Sequence, residues 1–413
     1  MEEEAFGQDD ISRLINSAWD QANSQLLFLR ARYDEKLVEL GITSSQAEQN
    51  LDLNYRTLNG LLDGSLQRIE LVSLLKLGHF LDIPDQEIIQ LYAQLISEKH
   101  KEDLKEAKKR TFILNNFDLP TLKSMGIIKS IRDFTHIEHQ INEMFSLESI
   151  LDYDTEDTGA ALSSTKIKPK NDKTRKLFKN KARLIFRQLN NPNKYDKEAI
   201  VEYFPKIRWH STDIENGLIN IVKSLYALGL TIIYQPTMPS LQMRGATFQV
   251  NGKPCIVLTD YMQSYPTMWF ALLHELFHVM FDWEEILVKR YHLSDEENDL
   301  FVLRHKEEEA NEFARDFLFP VHKLEIISPR IRQRLLVKEF ALDNHVHPSI
   351  IYSNYALQNS NKEKNYWAEF AKLIRPNMDG LIQKLGGGLT YRSKAIEFTE
   401  HYRCNIFNQY LDE

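Results

Sequence analysis

Apolar positions change their period along the chain, and each change predicts a different kind of element. Over residues 10–100 they recur three and four apart, as in "ISRLINSAWDQANSQLLFLRARYDEKLVELG" and "IELVSLLKLGHFL", the period of a helix with one buried face. Gly, Asn and Asp interrupt the pattern, so the expectation is an all-helical N-terminal domain built from short helices. "KEDLKEAKKR" (101–110) mixes both signs of charge around its turns and reads as a solvated helix. Short helices broken at Pro120 and Gly126 extend this into a helical connector over 101–151. Residues 152–175 are polar, poor in aromatics and rich in Thr, Ser, Lys and Asp, the composition of a flexible linker.

From residue 176 the pattern becomes mixed. "LINIVKSLYALG" has helical spacing, whereas "LTIIYQP" and "CIVLTD" are short β-branched runs that read as strands. "GATFQVNGKP" lies between them, and its Asn251-Gly252 pair signals a hairpin. "KPCIVLTD" is a strand of the kind that can offer an edge to an extended peptide. An apolar helix follows, "MWFALLHELFHVMF", then "EEEANEFARDFLFP", stopped by Pro320, then a helical tail from 330 onward that "GGG" interrupts at 386–388. The expected fold class is α+β: an all-α N-terminal domain, a second domain over 176–357 with a small mixed sheet, and a helical C-terminal extension over 358–413.

Composition narrows the class. With 43% apolar residues in 413, the chain can bury a core in each of two or three domains. A formal charge of -8 argues against a general polyanion-binding surface. Two cysteines, Cys255 and Cys404, far apart in sequence, indicate neither a disulfide scaffold nor a cysteine metal cluster. The acidic start "MEEEAFGQDDISRL" lacks the basic and apolar pattern of a signal peptide, and no apolar run of spanning length appears. These features lead to the expectation of a cytoplasmic protein.

The candidate chemistry lies in "ALLHELFHVMF". His274 and His278 stand four apart, on one face of a helix and one turn from each other, so both imidazoles can reach one metal ion. Glu275 can face the open coordination position as the general base. With 13 histidines in the chain, a chance HExxH is an event on the order of a few per cent. Context adds weight, because the flanking Trp269, Phe270, Leu272, Leu273, Leu276 and Phe277 predict a buried helix, where an imidazole without a partner is costly. A zinc site of this type needs a third ligand, commonly a carboxylate. "KEEEANEFARDFLFP" supplies candidates. Ala310, Phe313, Ala314, Phe317 and Leu318 define its apolar stripe, and Glu309, four residues before Phe313, is the expected ligand, with Glu308 and Glu312 as alternatives.

"MWFALLHELFHVMF" followed by "EEEANEFARDFLFP" resembles the paired signature of the ImmA/IrrE zinc metallopeptidases. "YALGLTIIYQPTMPSLQMRGATF", "KPCIVLTD" and "FALDNHVHPSII" resemble the same family, in the subgroup where the peptidase follows an Xre/Cro-type helix-turn-helix and is often described as antitoxin-like. The resemblance covers roughly 195–357. It implies a zincin-like domain whose two histidines and a later glutamate bind one zinc, and a substrate that is a specific regulatory partner protein, repressor- or antitoxin-like. A bacterial stress-response, toxin-antitoxin or phage-defence setting fits. Phe277 departs from the family pattern, which usually has Gly before the second His. An oxyanion donor is also required, and Arg244, Tyr261, His345 and His347 fall within the similar segments as candidates.

Residues 42–84 resemble an Xre-type helix-turn-helix, with Ser44 to Asn50 as its first helix and Asn54 to Leu62 as its recognition helix. Asn54, Tyr55, Arg56 and Asn59 would then reach bases or phosphates in a major groove. Asp52 and Asp63 flank this helix and basic residues are few, so protein docking by the helical bundle is the competing reading, and DNA affinity would depend on dimerisation. The alternative for the whole chain is a DNA-binding regulator or antitoxin whose peptidase-like domain binds zinc but turns over little.

Overall fold

The computed structural model describes residues 28–66, 68–153, 160–164, 172–239, 241, 243–288, 297–361 and 363–408. The chain forms two compact units, Met1–Lys109 and Arg110–Glu413. In the first, five helices follow one another: α1 (28–40), α2 (Ser44–Leu51), α3 (Tyr55–Leu62), α4 (Leu71–Phe80) and α5 (Asp85–Lys99). Their apolar faces meet in a core around Leu29, Tyr33, Leu58, Leu61, Leu77 and Ile88. Local chemistry sets the boundaries of the short pair. Thr43 and Gln46 form a capping box at the start of α2, Asp52 ends it in the left-handed region, and the Asn54 side chain caps α3 by accepting from the Thr57 N–H. Residues 10–27 of the expected N-terminal domain lie outside the described residues.

Helix α6 (Lys101–Asn116) brings buried Ile113 into the second unit. There α7 (Leu119–Ser124), α8 (Phe134–Phe145), α9 (Asp172–Leu189), α10 (Lys197–Ile207) and α11 (Gly217–Ala227) precede the main strands. Pro120 opens α7 rather than breaking a helix, since its missing N–H is no loss in a first turn. Phe117, Leu122, Ile137 and Phe145 join the same core as the sheet, so residues 110–151 are an integral layer of this unit rather than a separate connector.

The sheet has strands β1 (Ala160–Ser164), β2 (Thr231–Tyr234), β3 (Met243–Val250) and β4 (Lys253–Leu258), in the order β1-β3-β4-β2. β3 runs antiparallel to both neighbours and β2 parallel to β4, giving the small mixed sheet expected for an α+β fold. Asn251 and Gly252, both at positive φ, form the two-residue hairpin turn that pairs Val250 with Lys253. β4 lies inside the sheet, so the "KPCIVLTD" strand offers no edge to a peptide: β2 hydrogen-bonds along one of its sides and β3 along the other. Of the expected linker 152–175, residues 160–164 form β1, and 154–159 and 165–171 lie outside the described residues.

Below the sheet runs α12 (Tyr265–Phe281), opened by Pro266 and apolar nearly all round, with Trp269, Leu272, Leu273, Leu276 and Val279 fully buried. It is followed by α13 (Trp283–Val288), α14 (Glu297–Leu318), α15 (Val321–Ile327), α16 (Arg334–Asp343) and α17 (Pro348–Asn359). The expected C-terminal extension supplies α18 (Tyr366–Glu369), α19 (Ala371–Ile374), α20 (Asp379–Gly386) and α21 (Ala395–His401). These pack into the same core through Phe370, Leu381, Phe398 and Tyr402. Lys181 of α9, fully buried, donates to the carbonyls of Tyr391 and Ser393 and lies 4.7 Å from the Phe398 ring. The Tyr402 hydroxyl accepts the backbone N–H of Tyr234 at the end of β2. No helix of the described residues is long and apolar enough to cross a membrane.

Candidate metal centre

His274 and His278 project from the buried face of α12, and their Nε2 atoms lie 3.3 Å apart. Glu307 of α14 completes the group, with Oε2 3.3 Å from His274 Nε2 and Oε1 3.4 Å from His278 Nε2. These three side chains could hold a metal ion. The third position corrects the expectation at Glu309, whose carboxylate is half-exposed and 3.4 Å from His305 instead. Helix periodicity explains the difference. Among the described positions of α14, Ala310, Ala314 and Leu318 are buried, and Glu307 stands three before the first and seven before the second, on the same face. Phe313 and Phe317, which pointed to Glu309, are only partly buried and sit beside that stripe. Glu308 and Glu312 line the cavity described below without joining the cluster.

A layer behind the ligands fixes them. His278 Nδ1 is 2.8 Å from Asp282 Oδ2, one turn further along the helix, and a donated proton there leaves Nε2 free to bind. Lys306 donates to Asp282 Oδ1 at 2.8 Å and also pairs with Glu285. Burial opposes the charge of Glu307, but the two imidazoles outweigh it and hold the carboxyl at about 2. Burial likewise opposes a charged His278, yet its bonds to Asp282 and Glu307 lift it to about 10. Three converging donors, two nitrogens and one ionised oxygen, together with the carboxylate behind His278, match the donor set of a two-histidine, one-carboxylate zinc site.

Glu275 is fully buried between α12 and β3. Its Oε2 accepts from Thr247 Oγ1 at 2.7 Å, while Oε1 has no hydrogen-bond partner. Burial raises its pKa, and the neighbouring imidazoles pull the other way. Gly245 makes room for it: a Cβ there would come within 3.1 Å of Glu275 Cγ and 3.2 Å of the Val257 carbonyl. Phe277 packs with Phe281 and Phe313 at ring distances of 4.9 and 5.3 Å. The bulky departure from the family pattern thus joins α12 to α14, the two helices that carry the cluster.

His274 and Glu307 open onto a cavity of about 1050 Å³. One wall comes from β3 and the first turns of α12, including Arg244 and Phe270; the other comes from α17 to α19, including Ile350, Leu357, Trp367 and Ile374. Of the four oxyanion candidates, only Arg244 lines it. His347 caps α17, bonds Ser349 Oγ at 2.7 Å, and is pushed down to about 4 by burial. His345 packs against Trp209 with ring centres 4.9 Å apart and planes tilted by 41°. Tyr261 lies in the short turn before α12. In the first unit, Tyr55 and Arg56 are exposed on α3, whereas Asn54 is occupied as its cap. Asn59 accepts from Arg30 at 2.8 Å and donates to the Tyr55 carbonyl.

Sequence reading missed Glu307, Thr247, Gly245, Asp282 and Lys306. Asp282, four residues after His278, carried a helical-spacing signal; the others become neighbours only through the tertiary packing of β3 and α14 on α12. No curated protein and no solved structure matches the chain. Residues 227–343 match the family described as Peptidase_M78, IrrE N-terminal-like domain. That segment contains His274, Glu275, His278 and Glu307, and the match supports the ImmA/IrrE resemblance and a metallopeptidase-related role for it.

Proposed function

We propose that the chain is a zinc-dependent endopeptidase that cuts one accessible segment of a regulatory partner protein. The observation that carries this reading is the meeting of His274, His278 and Glu307 at one point with buried Glu275 beside them. Zinc, when bound, supplies Lewis-acid polarisation of water and of the scissile carbonyl. Glu275 takes a proton from water and passes it to the leaving nitrogen, a task suited to a carboxyl whose pKa burial raises. Thr247 holds one oxygen of that carboxylate and leaves the other free for the proton. Asp282 keeps the His278 ring turned towards the ligand position.

The α2–α3 pair is proposed to act as a helix-turn-helix that addresses the peptidase to DNA or to a protein bound there, in a bacterial stress-response, toxin-antitoxin or phage-defence setting in the cytoplasm. Exposed Tyr55 and Arg56 are its reading residues, with Asn54 and Asn59 shaping the helix that presents them. A second reading, a DNA-binding regulator whose zinc domain turns over little, is favoured by the full burial of Glu275, which limits its access to water.

The test is metal content by mass spectrometry together with hydrolysis of candidate partner proteins. Wild type should carry one zinc per chain and cleave; His274→Ala should lose both; Glu275→Gln should keep the zinc and lose cleavage by at least about 10²-fold. Zinc binding without any cleavage difference between wild type and Glu275→Gln would favour the regulator reading. A chain that binds no zinc when it is supplied would remove the peptidase reading altogether.

A further inference from the structure

Among the described residues that line the cavity, Arg244 is the cation set into its wall, whereas Arg315 and Arg375 are exposed. It is partly buried at the start of β3, its Nε is buried with no hydrogen-bond partner, and it pairs with no carboxylate among the described residues. Burial disfavours its charge, with only Tyr261 acting the other way. Its guanidinium lies 5.5 Å from the centre of the Phe270 ring. A cation–π contact uses the face of the guanidinium and leaves the buried Nε–H without an acceptor. Stacking alone therefore does not account for the placement. Arg208 lies over Phe317 in the same way and its Nε is likewise without a partner, but its Nη1 donates to the Phe317 carbonyl at 3.2 Å, a bond for which Arg244 has no counterpart among the described residues.

Position adds the second half of the argument. Phe270 lies one turn before His274, with ring centres 6.1 Å apart. A carboxylate meeting Arg244 would therefore belong to a residue about two or three positions from the metal along an extended peptide. Across the cavity, Ile350, Leu357 and Ile374 supply an apolar wall from α17 and α19, outside the matched segment 227–343.

We propose that Arg244 recognises a carboxylate of the bound polypeptide, with a neighbouring apolar side chain seated on the wall of Ile350, Leu357 and Ile374. This rests on the cavity being the peptide-binding cleft. The carboxylate is that of an Asp or Glu side chain or of a peptide C-terminus, and both place the same planar oxygen pair before the guanidinium.

A randomised decapeptide library, in free-acid and C-terminally amidated forms, tests this in two arms. In the first, zinc-loaded full-length Glu275→Gln protein selects binders; in the second, wild type digests the library. Peptides with Asp or Glu beside an apolar residue should be enriched on the order of tenfold over their Asn or Gln counterparts, or, where the carboxylate is terminal, free-acid peptides over their amidated counterparts. Arg244→Glu should reverse the preference towards basic residues, and Arg244→Lys should retain the acidic one, which also shows that the substitution site tolerates folding. Enrichment in both forms identifies a side chain; enrichment in the free-acid form alone identifies a C-terminus. Binders without acidic preference, a preference unchanged in Arg244→Glu, or no binders at all overturn the assignment. Selective binding without digestion leaves this recognition standing while the peptidase reading fails.

Discussion

The choice between Glu307 and Glu309 turns on two positions of one helix, about 200° of rotation, and so on which side of α14 meets α12. Glu307→Gln should lower zinc affinity at least tenfold, while Glu309→Gln leaves it unchanged; competition with a chromogenic chelator reads both, and the opposite ranking would return the ligand role to Glu309. Asp282 acts one step further out. Because it fixes the His278 ring, Asp282→Asn should cost about 10–100-fold in metal affinity while the protein stays folded; unchanged affinity would remove it from the centre. The two histidines and Glu275 were legible in sequence because a four-residue spacing on one helix needs no tertiary information. Glu307 was not, because three consecutive glutamates differ only by which of them faces α12, and the large phenylalanines of the stripe outweighed its small alanines. In the structure the alanines mark the close approach of the two helices.

Between elements, the sequence carried the hairpin and the short helix pair because each rests on local chemistry: Asn251-Gly252 for the turn, Thr43 and Asn54 for the caps. It did not carry strand order, so β4 read as an edge although its hairpin partner β3 covers one side and the earlier strand β2, separated from β4 in sequence, pairs with the other. The contact of α12 with α14 was equally hidden. Phe277 takes part in it with Phe281 and Phe313, and partial burial bounds its worth. Phe277→Ala should destabilise the second unit by about 2 kcal/mol, seen in urea unfolding, while zinc stoichiometry is kept. Loss of zinc at full stability would instead tie Phe277 to the ligands themselves.

At the scale of the whole molecule, α9 and the chain after residue 358 belong to one core, and Lys181 is the buried charge that joins them. Burial pulls it from 10.5 to about 7. Between those values the unfolded chain binds a proton that the folded chain has released, so this group makes stability rise with pH across that window and adds no slope below it. Urea midpoints for wild type and Lys181→Met, taken from about pH 7 to about pH 10, should converge or diverge by that slope alone; parallel curves would show that the ammonium stays charged on its two carbonyls. The tail read as an appended segment because its apolar residues are spread over short helices with no period long enough to announce a shared core. Tyr402 gives that tail one more consequence. β2 is an outer strand, and an outer strand offers free N–H groups to any passing chain. By accepting the Tyr234 N–H, the Tyr402 hydroxyl blunts that edge, so a version of the chain cut short before residue 402 would be prone to self-association and aggregation even where the group of His274, His278 and Glu307 is intact.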